Sequence, residues 1–229
     1  MAIMVTSDQS SHLTKEVKIS EIFYSIQGEA GYAGQKCIFI RLTGCPLRCV
    51  WCDTTYSFHG GETATVSAIL SEIRKYPCNL VEITGGEPLL QKSCYALFEA
   101  LHEKEYKVLL ETSGAIAIDK VPSFVTIIMD LKAPASGESS KNLWTNLDFL
   151  KQEDSVKIVI ADKTDYDGVI DTVMKRYQGL KVKPRIYLQP AYGMIEESML
   201  AEWIKSSDFD FVLSLQLHKY IYSPDLSGV

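Results

Sequence analysis

Three cysteines in one short segment are the residues of this sequence with the clearest capacity for chemistry. Cys45, Cys49 and Cys52 form a Cys-x3-Cys-x2-Cys pattern beside glycine and proline rather than within an apolar run. A closed zinc site uses four ligands, whereas three cysteines on a four-iron cluster leave one iron open for an exogenous ligand. The pattern therefore favours an iron–sulfur cluster with one open coordination position.

A zinc-binding interaction module is the alternative from another class, with His59 as the fourth ligand. Zinc sites usually pair cysteines as Cys-x2-Cys with two further ligands, and this segment does not match that spacing well. The remaining cysteines are scattered along the chain. Cys37 and Cys94 lie in apolar patterns and are interpreted as packing residues, and Cys78 as incidental.

A second motif, Thr-Gly-Gly-Glu-Pro over residues 84–88, follows an apolar run. Glycines let the backbone approach a ligand closely, and the carboxylate of Glu87 suits an ammonium group. The motif is neither a phosphate-binding loop nor a dinucleotide fingerprint, because no Gly-Lys-Ser/Thr follows and the glycine spacing is wrong. It is either a cofactor-binding loop or an ordinary turn between a strand and a helix.

Alternating strands and helices must position these motifs. Apolar runs of strand length, rich in β-branched residues, occupy 37–42, 80–84, 107–111, 126–131, 156–160, 185–189 and 211–215. Helices are predicted at 65–76, around 94–101, and at 142–150, 166–177 and 196–205. The alternation predicts an α/β fold with a parallel sheet, in the form of an incomplete (partial) βα barrel. In such folds the chemistry lies at the C-terminal ends of the strands.

Length and composition predict one soluble domain over residues 17–229, preceded by a flexible leader at 1–16 that lacks periodicity. The 23 Lys and Arg against 29 Asp and Glu leave a formal charge of −6, which disfavours direct binding of nucleic acid. No apolar stretch approaches the roughly 18 residues that span a bilayer. With cysteines that do not suggest a disulfide framework, these features predict a cytoplasmic protein without a membrane partner.

The cysteine pattern resembles the signature of the radical S-adenosylmethionine enzymes. From about residue 21 onward the chain is similar to one branch, the 7-carboxy-7-deazaguanine synthases. This resemblance implies a [4Fe-4S] cluster on Cys45, Cys49 and Cys52 whose open iron binds S-adenosylmethionine. It implies reductive cleavage of that cofactor to a 5′-deoxyadenosyl radical, which abstracts hydrogen from 6-carboxy-5,6,7,8-tetrahydropterin. Ring contraction with loss of ammonia then gives 7-carboxy-7-deazaguanine, for queuosine and other 7-deazapurines.

The resemblance also implies residue roles, with no catalytic residue beyond the radical chemistry of the cofactor. Contacts to S-adenosylmethionine are implied for Trp51, Cys52, Asp53, Gly86, Glu87, Ser113, Asp130, Leu131, Lys132, Gln189, Pro190, Ala191 and Tyr192. Contacts to the pterin are implied for Ile26, Gln27, Gly28, Glu29, Arg41, Thr84, His218 and Pro224. Thr54 is implied as a ligand of Mg²⁺, with the substrate completing the coordination shell.

Arg41 lies inside an otherwise apolar strand. A buried arginine is costly without a partner, so either a nearby carboxylate satisfies it or it awaits an anion. The resemblance favours the substrate carboxylate, which arginine binds in a bidentate manner.

Partners follow from the resemblance as well: an electron donor such as flavodoxin, and a second copy of the chain in a homodimer. Two other activities remain open from the sequence. An activating enzyme that makes a glycyl radical on a partner protein shares the cysteine pattern, although nothing after Gln189 suggests a docking groove. A direct tRNA-modifying enzyme is disfavoured by the acidic charge balance.

Overall fold

The computed structural model describes residues 9–224 and 226–229. These residues form nine strands: β1 Glu16–Ile26, β2 Lys36–Leu42, β3 Glu62–Thr65, β4 Leu80–Gly85, β5 Lys107–Thr112, β6 Thr126–Leu131, β7 Ser155–Ile160, β8 Arg185–Pro190 and β9 Phe211–Leu213. The strands join one sheet in the order β3-β1-β2-β4-β5-β6-β7-β8-β9. β2 and β4 to β9 run parallel, and β1 pairs antiparallel with both β2 and β3. Because β3 and β9 are the two ends of this order, the sheet is open and the predicted partial barrel is confirmed.

The seven predicted strands are all present, and β1 and β3 are two that the pattern did not predict. β1 has eleven residues but carries Lys18, Glu21 and Ser25 among its apolar positions, and β3 is a short polar Glu-Thr-Ala-Thr segment. Both are antiparallel, so they can leave one side to solvent and do not need the continuous apolar run of a buried parallel strand. Their sequences therefore lack the signal that identified the other seven.

The helices are α1 Gln9–Leu13, α2 Val66–Ile73, α3 Cys94–Glu103, α4 Lys163–Gly168, α5 Lys175–Gln178, α6 Glu197–Lys205 and α7 Leu217–Ile221. A π-helical segment, Val169–Met174, joins α4 to α5 and makes the predicted helix at 166–177 nearly continuous. The predicted helix at 142–150 is instead a 3-10 turn, Trp144–Phe149. α1 lies within the predicted leader, whose residues 1–8 are outside the described residues.

Capping and amphipathic spacing explain where α2 begins and which face it buries. The Thr65 hydroxyl accepts a hydrogen bond from the backbone N–H of Ala68 at 3.2 Å, which satisfies a donor at the helix start. The predicted apolar face of α2 is buried against the sheet. None of the helices in the described part of the chain is long and apolar enough to cross a bilayer.

The two faces of the sheet have different compositions because strand side chains alternate in direction. In β7, Val156, Ile158 and Ile160 pack into the core beneath the helices. Side chains on the opposite, inner face begin with an apolar layer that includes Phe39, Leu109, Ile128 and Tyr187. Glu111, Asp130 and Lys157 lie beyond this apolar layer on β5, β6 and β7, and this charged layer forms the floor of the candidate site.

Candidate active site

The cysteine loop follows β2 at the C-terminal end of the sheet, where the sequence predicts the chemistry. Cys45, Cys49 and Cys52 are free and half-buried. The loop is tied to the segment after β6 by the backbone N–H of Val50, which donates to the carbonyl of Ser136 at 3.1 Å. Burial raises the pKa of the Cys45 and Cys49 thiols above the ordinary value. Metal binding requires thiolates, so a bound cation must offset this cost.

Close packing joins the cysteine loop to the Gly-Gly-Glu motif. The N–H of Glu87 donates to the Gly44 carbonyl at 2.8 Å. A Cβ atom on Gly86 would lie 2.3 Å from the Gly44 oxygen and 2.7 Å from the Cβ of Cys45. Only glycine permits this approach, so the motif is a structural partner of the cysteine loop.

The donor set fits a cluster better than a single zinc ion. In the described residues, no three His, Cys, Asp or Glu side chains converge on one ion position, and His59 is exposed. Thiolates around one zinc all lie about 2.3 Å from it, whereas each thiolate of a four-iron cluster binds a different iron. Three free thiols on one loop, each available to a different iron, suit the second arrangement.

Glu87 has its carboxylate fully buried rather than open to the loop. It accepts hydrogen bonds from the Thr112 hydroxyl at 2.9 Å, from the Ser113 N–H at 2.8 Å and from the Leu89 N–H at 3.0 Å. These bonds fix the ends of β4 and β5 next to Gly86. The contact of Glu87 with a cofactor stays a prediction, and the structure adds an anchoring function.

The segment 26–29 and the C-terminal helix α7 meet over the inner face. The backbone N–H of Leu217 donates to the carbonyl of Gly28 at 3.1 Å. A Cβ on Gly28 would lie 2.6 Å from Nδ1 of His218, so this helix sits directly on the glycine. Glu29 accepts a hydrogen bond from the Gln216 amide at 2.9 Å. Residues predicted to bind substrate from opposite ends of the chain are therefore adjacent.

Arg41 has a partner on the neighbouring strand. Its Nε lies 2.7 Å from Oε1 of Glu21, which also accepts the Tyr56 hydroxyl at 2.7 Å, and its guanidinium stacks over Phe23. Both alternatives left open by the sequence are thus compatible with the geometry. Glu21 accepts a hydrogen bond from Nε, and no hydrogen bond in the described part of the chain uses the two terminal nitrogens, which suit an anion.

Inner-face charges that the sequence analysis did not single out lie among the predicted contacts. Lys157 on β7 pairs with Glu29, Glu111 and Asp130. Glu111 accepts a hydrogen bond from the Thr84 hydroxyl at 2.9 Å, and the Gln27 amide donates to Glu82. The available signal was a charged residue at an inward position of an otherwise apolar strand.

Burial and neighbouring charges act differently on these inner-face groups. Burial, reinforced by the nearby Glu111, raises the pKa of Glu82 to about 8. Burial alone would lower the pKa of Lys157, but Glu111, Glu29 and Asp130 outweigh it and hold that pKa well above the ordinary value. The site therefore keeps a lysine ammonium among carboxylates and, at neutral pH, one protonated glutamic acid.

The other predicted cofactor contacts, beyond the cysteine loop and the Gly-Gly-Glu motif, lie along the C-terminal ends of β5, β6 and β8. Asp130 forms an ion pair with Lys132 at 3.1 Å, and Gln189 accepts the Ser214 hydroxyl at 3.4 Å. Leu131, Pro190 and Ala191 are buried beside them, Ile26, Trp51 and Thr54 are half-buried, and Tyr192 is exposed. Pro224 is exposed in a turn beyond α7, and its contact with the pterin stays a prediction.

Comparison with known proteins agrees with this architecture. The model of the radical SAM superfamily matches residues 39–131. A 7-carboxy-7-deazaguanine synthase of Koribacter versatilis (strain Ellin345) is 41% identical, over 93% of this chain and 100% of its own length. The chain belongs to the 7-carboxy-7-deazaguanine synthase family. A synthase of Chlorobaculum tepidum is 40% identical, over 93% of this chain and 97% of its own length.

Solved structures support the fold of this 7-carboxy-7-deazaguanine synthase family member. The crystal structure of QueE from Escherichia coli superposes with a TM-score of 0.74, at 23% identity, over 92% of this chain and 99% of that one. Streptococcus suis SuiB gives a TM-score of 0.52, at 15% identity, over 76% of this chain and 47% of its own. Family membership makes the chain a radical S-adenosylmethionine enzyme with a [4Fe-4S] cluster, S-adenosylmethionine and Mg²⁺ as cofactors. It overturns the zinc-module alternative.

Proposed function

We propose that the chain converts 6-carboxy-5,6,7,8-tetrahydropterin to 7-carboxy-7-deazaguanine and ammonia, in queuosine biosynthesis. The observation that carries this proposal is the meeting of two features at one end of the sheet. The three free thiols of Cys45, Cys49 and Cys52 lie on the loop after β2, and the charged inner face lies beside them. Bound there, the cluster and S-adenosylmethionine would supply the radical that removes a hydrogen atom from the pterin.

In this proposal the cysteine loop and the strand ends hold the cofactors. Cys45, Cys49 and Cys52 bind the cluster. Contacts to S-adenosylmethionine come from Trp51, Cys52, Asp53, Gly86, Glu87, Ser113, Asp130, Leu131, Lys132, Gln189, Pro190, Ala191 and Tyr192. Gly86 supports this assignment because its missing side chain brings the β4 end against Cys45. Polar residues along β6 and β8 suit the amino and carboxylate groups of the methionine moiety.

The proposed pterin contacts are Ile26, Gln27, Gly28, Glu29, Arg41, Thr84, His218 and Pro224. The terminal nitrogens of Arg41 would bind the substrate carboxylate, since the hydrogen bond to Glu21 uses Nε. Glu29 and Thr84 face the same charged layer. Their arrangement would orient the ring before hydrogen removal and exclude water, which is the protein's part in this chemistry.

Thr54 is the proposed protein ligand of Mg²⁺. Its hydroxyl lies 3.8 Å from Sγ of Cys52, at the edge of the cysteine loop. Mg²⁺ binds few protein oxygens and commonly relies on substrate and water oxygens. Binding of the ion and of the pterin would therefore depend on each other at this position.

The test uses protein reconstituted anaerobically with iron and sulfide. Incubation with S-adenosylmethionine, a reductant, Mg²⁺ and the carboxytetrahydropterin should give 7-carboxy-7-deazaguanine by mass spectrometry. Replacing Cys45, Cys49 and Cys52 together with alanine should abolish the iron–sulfur absorbance and the cleavage of S-adenosylmethionine. Cys78→Ala is the matched control and should retain both. A triple variant that kept the chromophore and the cleavage would contradict the cluster assignment.

We also propose the setting in which the enzyme works. Residues 17–229 would form one domain, since strands from both ends of this range join one sheet. Six free cysteines and an iron–sulfur cluster suit the reducing cytoplasm. An electron donor such as flavodoxin would reduce the cluster, and two copies would form a homodimer. The charge of −6 supports a small-molecule substrate without direct nucleic-acid contact.

A further inference from the structure

Lys157 is an inner-face residue to which neither the sequence motifs nor the proposed contacts assign a role. It lies on β7 with its side chain only 6% exposed. Its ladder neighbours are Asp130 on β6 and Tyr187 on β8. The preceding and following residues point into the apolar core, so Lys157 is the β7 position that faces the charged layer together with its neighbours.

Three carboxylates surround the ammonium of Lys157, and they come from separate parts of the chain. Nζ donates hydrogen bonds to Glu29, in the turn after β1, and to Glu111 on β5. It lies 3.3 Å from Oδ2 of Asp130 on β6. A lysine has three N–H donors, so one ammonium has a donor for each of the three acidic side chains.

The three carboxylates lie next to the proposed binding positions of both the pterin and S-adenosylmethionine. Glu29 is a proposed pterin contact, and Glu111 accepts the hydroxyl of Thr84, which is another. Asp130 is a proposed contact of S-adenosylmethionine, and its second oxygen lies 3.1 Å from Lys132. A path of direct contacts therefore runs from the pterin side through one buried ammonium to the cofactor side.

A buried lysine is not explained by stability alone. Desolvation of buried charges often cancels the attraction between them, and apolar replacements of similar volume can be neutral or stabilising. The geometry of Lys157 instead suits orientation, because moving any one carboxylate toward a ligand changes the donors available to the other two.

We propose that Lys157 is a positioning residue that couples binding of the pterin to binding of S-adenosylmethionine. It acts through Glu29, Glu111 and Asp130 and touches neither ligand itself. When the pterin engages Glu29 and Thr84, Lys157 holds Asp130 and Lys132 in the arrangement that the cofactor requires. This inference rests on the residue roles assigned above.

The test measures equilibrium binding of S-adenosylmethionine, with and without the carboxytetrahydropterin, to reconstituted enzyme whose cluster is kept oxidised so that no turnover occurs. In the wild type we expect the pterin to tighten cofactor binding about fivefold or more, the lower range of typical couplings between sites. The ratio to compare is the dissociation constant of S-adenosylmethionine without the pterin divided by that with the pterin. Lys157→Met should bring this ratio close to one. A variant ratio equal to that of the wild type, or a wild-type ratio of one, would overturn the proposal.

Two further variants keep the result interpretable. Lys151→Met removes another lysine that pairs with a buried carboxylate, Asp154 at 3.2 Å, outside the charged layer, and should leave the ratio unchanged. Lys157→Arg keeps the charge but places a broader group among the carboxylates, and should give a ratio between those of methionine and wild type. If Lys157→Met does not fold, Lys157→Arg decides the question. A ratio in Lys157→Arg equal to that of the wild type would overturn the proposal.

Product formation by the wild type is measured separately from the binding ratios. Absence of 7-carboxy-7-deazaguanine would overturn the proposed function, whatever the ratios are. Product formation with an unaltered ratio in the Lys157 variants would overturn only the coupling inference.

Discussion

Charged side chains on the inner face of the sheet are held by partners that are distant in sequence. Glu82 binds the amide of Gln27, and Arg41 binds Glu21 across the β1–β2 pair. Each of these polar or charged groups would be costly to bury without its partner. At the scale of single residues, the site is therefore built from pairs in which one side chain restricts and orients the other.

Arg41→Lys tests whether the guanidinium of Arg41 binds the substrate carboxylate. Arg41→Lys should raise KM for the pterin about tenfold, or about 1.4 kcal/mol, because lysine cannot pair with Glu21 through one nitrogen and present a planar fork to a carboxylate. Cleavage of S-adenosylmethionine without pterin should change much less. The measurement is steady-state kinetics of product formation beside substrate-free cleavage. Arg74→Lys, at the exposed end of α2, is the control, and equal losses in both reactions would argue against carboxylate binding by Arg41.

Glu82 should make the folded state less stable as pH rises. Its pKa is about 8 in the folded protein and about 4.3 in an unfolded chain. At a pH between these two values, the folded protein keeps a proton on Glu82 that the unfolded chain has released. The free energy of unfolding then falls by up to about 1.4 kcal/mol per pH unit from this group, and the loss ends above pH 8.

Urea denaturation between pH 5 and pH 9 checks this prediction. Glu82→Gln resembles the protonated form and should flatten the profile, becoming more stable relative to the wild type as pH rises. Glu103→Gln, at an exposed position at the end of α3, should leave the profile unchanged. If the wild type instead became more stable relative to Glu82→Gln between pH 5 and pH 9, the raised pKa of Glu82 would be contradicted.

At the scale of secondary-structure elements, the loops that follow neighbouring strands are joined into one unit. The cysteine loop after β2 and the Gly-Gly-Glu turn after β4 share backbone hydrogen bonds at Gly44 and Leu42. The buried carboxylate of Glu87 extends this unit to the end of β5. Three parallel strands thus end in one hydrogen-bonded platform that positions the thiols.

Gly86→Ala should disrupt that platform. The added Cβ would meet backbone and Cβ atoms that cannot move aside easily, and we expect a loss of about 1 to 3 kcal/mol in stability with reduced iron content. Thermal unfolding and iron analysis after reconstitution measure the two effects. Gly168→Ala, whose nearest neighbour would be a proline side-chain atom at 3.5 Å, is the control. Wild-type iron content in the Gly86 variant would refute the close-packing argument.

At the scale of the whole molecule, the segment after β1 and helix α7 meet over the inner face although they are far apart in the sequence. α7 rests on Gly28, and Lys219 pairs with Asp53 of the cysteine loop at 2.8 Å. Gln216 contacts both Glu29 and Asp53. Because β1 precedes the parallel strands and α7 follows them, the site is complete only when β1, the parallel strands and α7 have all folded.

Gln216→Ala should loosen this closure without unfolding the sheet. The lost hydrogen bonds are worth about 0.5 to 1.5 kcal/mol each, so amide hydrogen exchange should rise at 26–29 and 217–221 together. Exchange in β5 and β6 should stay at the wild-type rate. Lys205→Ala on exposed α6 serves as the control, and a change confined to α7 would show that the two ends are not coupled.

Apolar runs and cysteine spacing were enough to predict the seven parallel strands, the amphipathic helices α2, α3 and α6, and the class of metal site. Those features depend on local periodicity and on the ligand number of a metal, which are properties of neighbouring residues. The partner of Arg41, the buried state of Glu87 and the carboxylates around Lys157 were decided only by tertiary structure. Apart from Leu89, which is two residues from Glu87, their partners lie 20 to 128 residues away in the chain. Only the register of the sheet and the closure by α7 place them within hydrogen-bond reach.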